Sequence, residues 1–248
     1  MSLWGCQFNS PTCNIVFINF LSFLDLISVY LTPTKLAMRI KSDTRIGPHN
    51  FDFLSVVYGS LLGNGSLEKR GQGVRVSFYH EAIHTEFLLW LHSFMSHLGY
   101  CTAILPKIST RLAIGGTIRY IIRFHTFSYS SLRGIYDSWY VDGVKRVPAD
   151  IHLYLTPLTL AVMIMGCGTR VSTGMKLSVP FSYDDCRILT RALSRVFGLA
   201  VTINSAGYNL PNGNGECAYC IYVWAGSMHD LRSIVRPHML SSMLYKLG

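Results

Sequence analysis

The sequence predicts an α+β fold built from two copies of one helix–strand unit. The first observation behind this is an echo. The stretch "LLGNGSLEKR" (residues 61–70) returns as "IMGCGTRVST" (residues 164–173), with Gly63-Asn64-Gly65 standing 103 residues before Gly166-Cys167-Gly168. A second echo keeps nearly the same spacing: Leu132-Arg133-Gly134-Ile135 precedes Leu231-Arg232-Ser233-Ile234 by 99 residues. The second observation is that helix-period and alternating patterns follow one another in the same order in both copies. Two copies fall short of a solenoid, which needs at least three repeats.

The elements read in order as follows. Residues 14–32 ("NIVFINFLSFLDLISVYLT") are apolar and long enough to span a membrane, but Asp25 near the middle is costly in hydrocarbon. No Lys or Arg precedes Lys35, so the stretch matches neither a signal peptide with a basic start nor an Arg-rich transit peptide. It reads as an apolar helix added to the body, and residues 33–50, basic and broken by Pro, read as a linker. Residues 51–63 have helix length, with Asp52 near the start and Gly63 near the end. In "GVRVSFYH" (residues 73–80), Val74, Val76 and Phe78 alternate with Arg75, Ser77 and Tyr79, as in a strand. An amphipathic helix over 81–100 follows, closed by Gly99. Two strands come next, "ILPKISTRL" and "TIRYIIRFHT", and then a helix at "SLRGIYDSWY". The second copy repeats this: a helix at "PLTLAVMIM", a strand at "TRVSTGMKLSV", a long helix at "YDDCRILTRALSRVFG", strands near "AVTINS" and "CAYCIYVW", and a helix at "SMHDLRSIV".

Antiparallel strands with one apolar face pack it on helices and leave the other to solvent or a partner. The alternation assigns Arg75, Lys107, Arg111, Arg119, Arg123, Arg170 and Lys176 to that free face, with Tyr79 and His125 among them; Lys69 and Arg70 join the basic set. Lys and Arg outnumber Asp and Glu by 22 to 13, a formal charge of +9, which favours a polyanionic partner. A basic sheet with aromatic residues points to nucleic acid. Half the residues are apolar and 14% are charged, a balance common in organelle-encoded chains.

Other candidates are weaker. Seven scattered cysteines outline no disulfide framework. Cys217 and Cys220 form a C-x-x-C, but on a strand they point to opposite faces. His84, His92 and His97 share a helix at offsets of eight and five, not the i, i+4 pair of a zinc helix, and read as surface residues. No metal site is expected from them.

The sequence resembles the LAGLIDADG homing endonucleases and the intron maturases derived from them. The resemblance rests on "VVYGSLLGNGSLEKR", on "YDSWYVDGVKRVPADIHLYLTPLTLAVMIMGCG" (residues 136–168) and on the ending "PHMLSSMLYKL", and it covers residues 51–248. It implies two pseudo-symmetric αββαββα halves, over 51–148 and 149–248, after an extension over 1–50. It also implies paired central helices packed through Gly59, Gly63 and Ala161, and two saddle-shaped sheets that hold DNA. Active members carry Asp or Glu just before the last Gly of each motif, where two acids bind divalent metal for phosphodiester hydrolysis. Those positions are Asn64 and Cys167 here, and Gly166 stands where many relatives have a further acid. A neutral amide and a soft thiol suit Mg²⁺ poorly. Asp150, Glu68 and Asp184 belong to other elements and are not obvious substitutes.

The expectation is therefore a nucleic-acid-binding protein without intact catalytic residues and without a cofactor. Its partner would be structured RNA rather than DNA, as for a maturase or an organellar ribonucleoprotein such as a ribosome. It would work in a mitochondrion as a pseudo-dimeric monomer, with further protein contacts through the apolar N-terminal segment. The alternative is an intron-encoded homing DNA endonuclease, either recently decayed or active with Mg²⁺ through these residues or through transcript editing at codons 64 and 167.

Overall fold

Asn50 starts the first helix. Its Oδ1 accepts N–H bonds from Asp52 at 2.7 Å and Phe53 at 3.2 Å, so two of the donors left open at a helix start are met by this one side chain. The computed structural model describes residues 44–81, 84–112, 116, 118–209 and 217–248. In chain order these form α1 (Phe51–Leu62), β1 (Ser66–Arg70), β2 (Gly73–Glu81), α2 (Thr85–His97), β3 (Ile108–Leu112), β4 (Ile118–His125) and α3 (Arg133–Trp139). A short ribbon, β5 (Tyr140–Val141) and β6 (Val144–Lys145), and a 3-10 turn, Ile151–Leu153, lead to the second copy. That copy is α4 (Pro157–Cys167), β7 (Gly168–Val171), β8 (Gly174–Leu177), α5 (Tyr183–Phe197), β9 (Val201–Asn209), β10 (Cys217–Val223) and α6 (Met228–Val235), followed by a 3-10 segment, Ser241–Lys246. The order αββαββα occurs twice. Strand orders match too, β1-β2-β4-β3 and β7-β8-β10-β9, with every pairing antiparallel.

The two central helices are apolar almost all round because both are buried almost all round. They approach closely at Gly59: a Cβ there would stand 2.5 Å from the Thr159 carbonyl oxygen and 2.9 Å from the Val162 Cβ. Ala161 is fully buried in the same seam. At the helix starts, the Thr156 hydroxyl donates to the Ser55 hydroxyl at 3.0 Å, a polar tie across the contact. Gly63 differs from expectation, since a Cβ there would meet the Cys167 sulfur at an ordinary 3.7 Å. At the helix ends, the glycines with no room are the second of each Gly-x-Gly. A Cβ on Gly65 would meet Ser60 backbone at 2.9 Å, and one on Gly168 would meet the Ile164 carbonyl at 2.7 Å. Each motif thus ends in a turn folded back on its own helix.

A single hydrophobic core runs through both halves, from Phe53, Phe78 and Phe87 through Trp139 to Phe181, Leu189 and Ile221. The boundary at 148 therefore separates two copies of a motif within one compact unit, Ile40–Gly248. The reading of residues 14–32 lies outside the described residues, as does most of the linker. Its described end is not a free tether. The Arg45 guanidinium lies 4.4 Å from the centre of the Phe127 ring, and His49 bonds the Ser131 hydroxyl at 2.9 Å among Phe53, Tyr100 and Tyr129. Among the described residues, no helix is long and apolar enough to cross a membrane. His92 is also corrected: it is buried, with Nε2 3.0 Å from the Thr102 carbonyl oxygen and its ring edge-on to Phe124.

Gly59→Ala should lower stability by about 1–3 kcal/mol, because a methyl at the helix seam must push backbone apart. Gly134→Ala, on α3 with nothing within 4 Å of the added carbon, should be neutral or stabilise by up to about 1 kcal/mol. Urea midpoints of the two variants against the parent check the contrast.

Candidate nucleic-acid interface

The C-terminal ends of α1 and α4 lie side by side. Asn64 is exposed just past the end of α1, and its amide nitrogen donates to the Gly166 carbonyl at 3.4 Å. Cys167 is still helical and buried. Its thiol donates back to the Met163 carbonyl at 3.2 Å, and burial pushes its pKa up to about 12, so it stays neutral. Beside these ends opens a cavity of about 530 Å³, lined by Asn64, Tyr79, His80, Glu81, His84 and Lys145 among others.

Two lysines that the sequence reading missed define the electrostatics. Lys145, on β6, donates to the carbonyls of Gly63 at 3.2 Å and Gly65 at 2.9 Å. Lys246, buried in the last 3-10 segment, donates to Met165 at 2.7 Å and Ile164 at 3.4 Å. Each motif helix thus carries an ammonium on its open C-terminal carbonyls, where the helix dipole is negative. Burial draws Lys145 down to about 7 and lowers Lys246 as well. The signal was in the spacing: Lys145 stands 81 residues after Asn64 and Lys246 stands 79 after Cys167, a third echo of the repeat.

These residues do not fit a divalent metal. Asn64, Gly166 and Cys167 supply no charge, the thiol points into its own helix, and the two lysine side chains, Lys145 when protonated, repel a cation. Among the described residues no cluster of His, Cys, Asp or Glu is placed to hold a metal ion. The neighbouring acids are engaged elsewhere. Glu68 accepts from Arg75 Nε at 3.0 Å and Nη2 at 2.7 Å, and Asp184 pairs with Arg187 at 3.5 Å. Asp150 sits at the junction turn.

The register of the first sheet decides which basic residues share its free face. Glu68 faces Arg75, Tyr79 faces Arg123, Ser77 faces His125, and Arg111 faces Arg119. Arg70, Arg75, Arg111, Arg119 and Arg123 therefore lie together with Glu68, Glu81, Tyr79 and His125. Arg119 reaches Glu81 at 2.9 Å, and Arg123 lies 5.4 Å from the centre of the Tyr79 ring. Arg111 and Arg119 are both exposed and directly opposed, a like-charge pairing that Glu81 offsets on the Arg119 side.

Three residues are placed differently from expectation. Lys69 is opposite Val74, on the helix side, with its ammonium 4.3 Å from the Tyr136 ring centre and 3.5 Å from Asp137. Arg170 is opposite Met175, also on the helix side, with its guanidinium against Gly248. Lys107 precedes β3 rather than lying in it. On the second sheet's free face, Lys176 stands with Thr169, Thr202, Asn204 and Tyr222. The basic charge of the free faces is thus concentrated in the first half.

His80 is buried beside the central cavity, and burial, with smaller contributions from His84 and Lys246, lowers its pKa from 6.5 to about 4. Between those values the unfolded chain binds a proton that the folded chain does not, so stability falls as pH drops from 6.5 toward 4. His80 should account for about 3 kcal/mol of that loss. His80→Phe should flatten this part of the curve of denaturant midpoint against pH.

Residues 54–231 match the sequence model of the LAGLIDADG DNA endonuclease family. The chain is 38% identical, over 88% of its length, to the cytochrome b mRNA maturase bI2 of Saccharomyces cerevisiae, and spans about half (52%) of that protein. It is 37% identical, over 81% of its length, to the protein of the same name from Debaryomyces hansenii, of which 75% is covered. An intron-encoded endonuclease, ai4, of Dictyostelium discoideum is 28% identical over 64% of this chain and 98% of its own. The fold is that of the homing endonuclease I-WcaI, solved bound to its DNA recognition sequence, with a TM-score of 0.70 at 18% identity over 86% of this chain and 95% of that one. With two αββαββα copies about paired helices and a family match across most of its length, the chain belongs to the LAGLIDADG DNA endonuclease family.

Proposed function

We propose that this chain is a maturase-type protein that binds the structured RNA of an intron and does not cleave DNA by a metal-dependent route. One observation carries the reading. At the paired helix ends the groups are a neutral amide, a neutral thiol and two lysines, Asn64, Cys167, Lys145 and Lys246, in place of paired carboxylates. A site of that charge attracts phosphate and repels Mg²⁺. The identity to two cytochrome b mRNA maturases supports the same reading.

In this reading Arg75, Arg111, Arg119 and Arg123 contact phosphates and set affinity, while Tyr79 and His125 offer flat surfaces among them. Binding needs no metal. The small share of charged residues and the high apolar content agree with an organelle-encoded chain, and a mitochondrial site of action is part of the proposal.

The test uses an in vitro transcript that contains the reading frame and its flanking sequence. Arg119→Ala with Arg123→Ala should weaken binding by about tenfold or more and reduce the salt slope by about two, roughly one for each phosphate no longer neutralised. Unchanged affinity in the double variant would remove the sheet face from the interface. Adding Mg²⁺ should produce no nicking of a DNA duplex carrying the joined exon sequence. Mg²⁺-dependent nicking there would return the chain to the endonucleases.

A further inference from the structure

On the helix side of the second half, away from the free sheet face, a groove of about 310 Å³ opens between the junction turn and α5, lined by Ala149, His152, Ile188, Arg191, Ala192 and Arg195. We propose that this groove is a second nucleic-acid site, one that takes a single RNA strand with an unpaired base against its apolar wall. The inference rests on the RNA-binding reading above and adds a surface to it.

The local geometry follows from helix period. α5 buries Cys186, Leu189, Ala192 and Leu193 toward the core, so the next rows of its surface border the groove. Ile188 and Ala192 are one turn apart and give an apolar wall. Arg191 and Arg195 are also one turn apart, in the adjacent row, and give a cationic rim. His152 faces them from the Ile151–Leu153 turn.

Stability does not explain this arrangement. Like charges one turn apart on a helix repel. Neither Arg191 nor Arg195 forms an ion pair among the described residues, whereas Arg187, on the same stripe, is matched by Asp184. Arg195, in the last turn, gains from the helix dipole, but Arg191, at mid-helix, does not. The lining holds no carboxylate.

The shape selects the occupant. About 310 Å³ is the lower end of ligand-pocket size and too small and local for a duplex. An unstacked base fits such a concavity, with guanidinium planes able to stack on it and to pair with the flanking phosphates. A duplex lying across the free sheet faces would not reach it, because α5 lies behind the second sheet.

The experiment compares the full chain, Arg191→Ala with Arg195→Ala, and Arg119→Ala with Arg123→Ala, against oligouridine and against a duplex DNA. Both groove positions are exposed helix sites where Ala is a strong helix former, so the variant keeps its fold. The groove variant should lose about tenfold or more in oligouridine affinity and change by less than about twofold on the duplex. Oligouridine carrying 4-thiouridine should crosslink to the peptide that contains Ile188. Equal affinity of parent and groove variant for oligouridine overturns the groove and leaves the sheet-face reading standing if the other variant is impaired. Equal losses on RNA and duplex also overturn it, as does a groove that retains a polyglutamate peptide but no RNA. A parent chain that binds no RNA of any kind overturns both this inference and the proposed function.

Discussion

Backbone contact between two helices at Gly59 governs the rest of this molecule. With no side chain there, the Thr159 carbonyl and Val162 come into the space a methyl would fill. The two central helices can then run together to their C-terminal ends, and the sheets that follow each helix take their positions from that seam. A seam this close cannot be adjusted gradually, since packed interiors leave no slack. It also fixes how near the two helix ends stand, and so which charges must face one another.

At those ends each helix has carbonyls with no partner in the helix. Carboxylates would need a counter-cation to sit beside them. Lys145 and Lys246 solve the problem differently, since each ammonium takes two carbonyls and offsets the negative pole directly. Cys167, turned back onto Met163, leaves the cleft without a soft ligand. In the reading proposed above, Asn64 and Cys167 stand where acids would be, while the scaffold around them, including the second glycine of each motif, keeps the close approaches that demand glycine.

Much of this was legible in the residues, and the misses have physical causes. Periodicity located the outer helices because burial on one side leaves a regular trace, whereas the two central helices, buried almost all round, were found from their length and the echo of their closing glycines. Parity along a strand, however, is relative and becomes absolute only when a partner fixes the register. Arg75, Arg119 and Arg123 lie on the face that alternation assigned them, but Arg170 faces the helices because its partner is Met175, and Lys69, counted only with the basic set, does the same opposite Val74. Nor does an alternating strand reveal how its charges cancel: Glu68 and Glu81 lie on the same face and hold Arg75 and Arg119. Buried lysines look like surface ones until a structure shows what their ammonium groups touch. His92 was misjudged for a similar reason, since one ring nitrogen meets a carbonyl from a loop that no helix pattern includes.

The uneven charge of the two sheets has a consequence for orientation. A scaffold with twofold pseudo-symmetry offers a long polyanion two equivalent ways to lie across it, related by reversing the strand. Among the described residues, five arginines on one free face against a single lysine on the other remove that equivalence. Even after Glu68 and Glu81 are counted, the first face keeps the larger positive charge, so in the proposed reading a polyanion's most densely charged segment would settle there first and the remainder would be laid down toward the second. A duplicated fold has thereby acquired a head and a tail, through surface charge alone and with no change in backbone architecture.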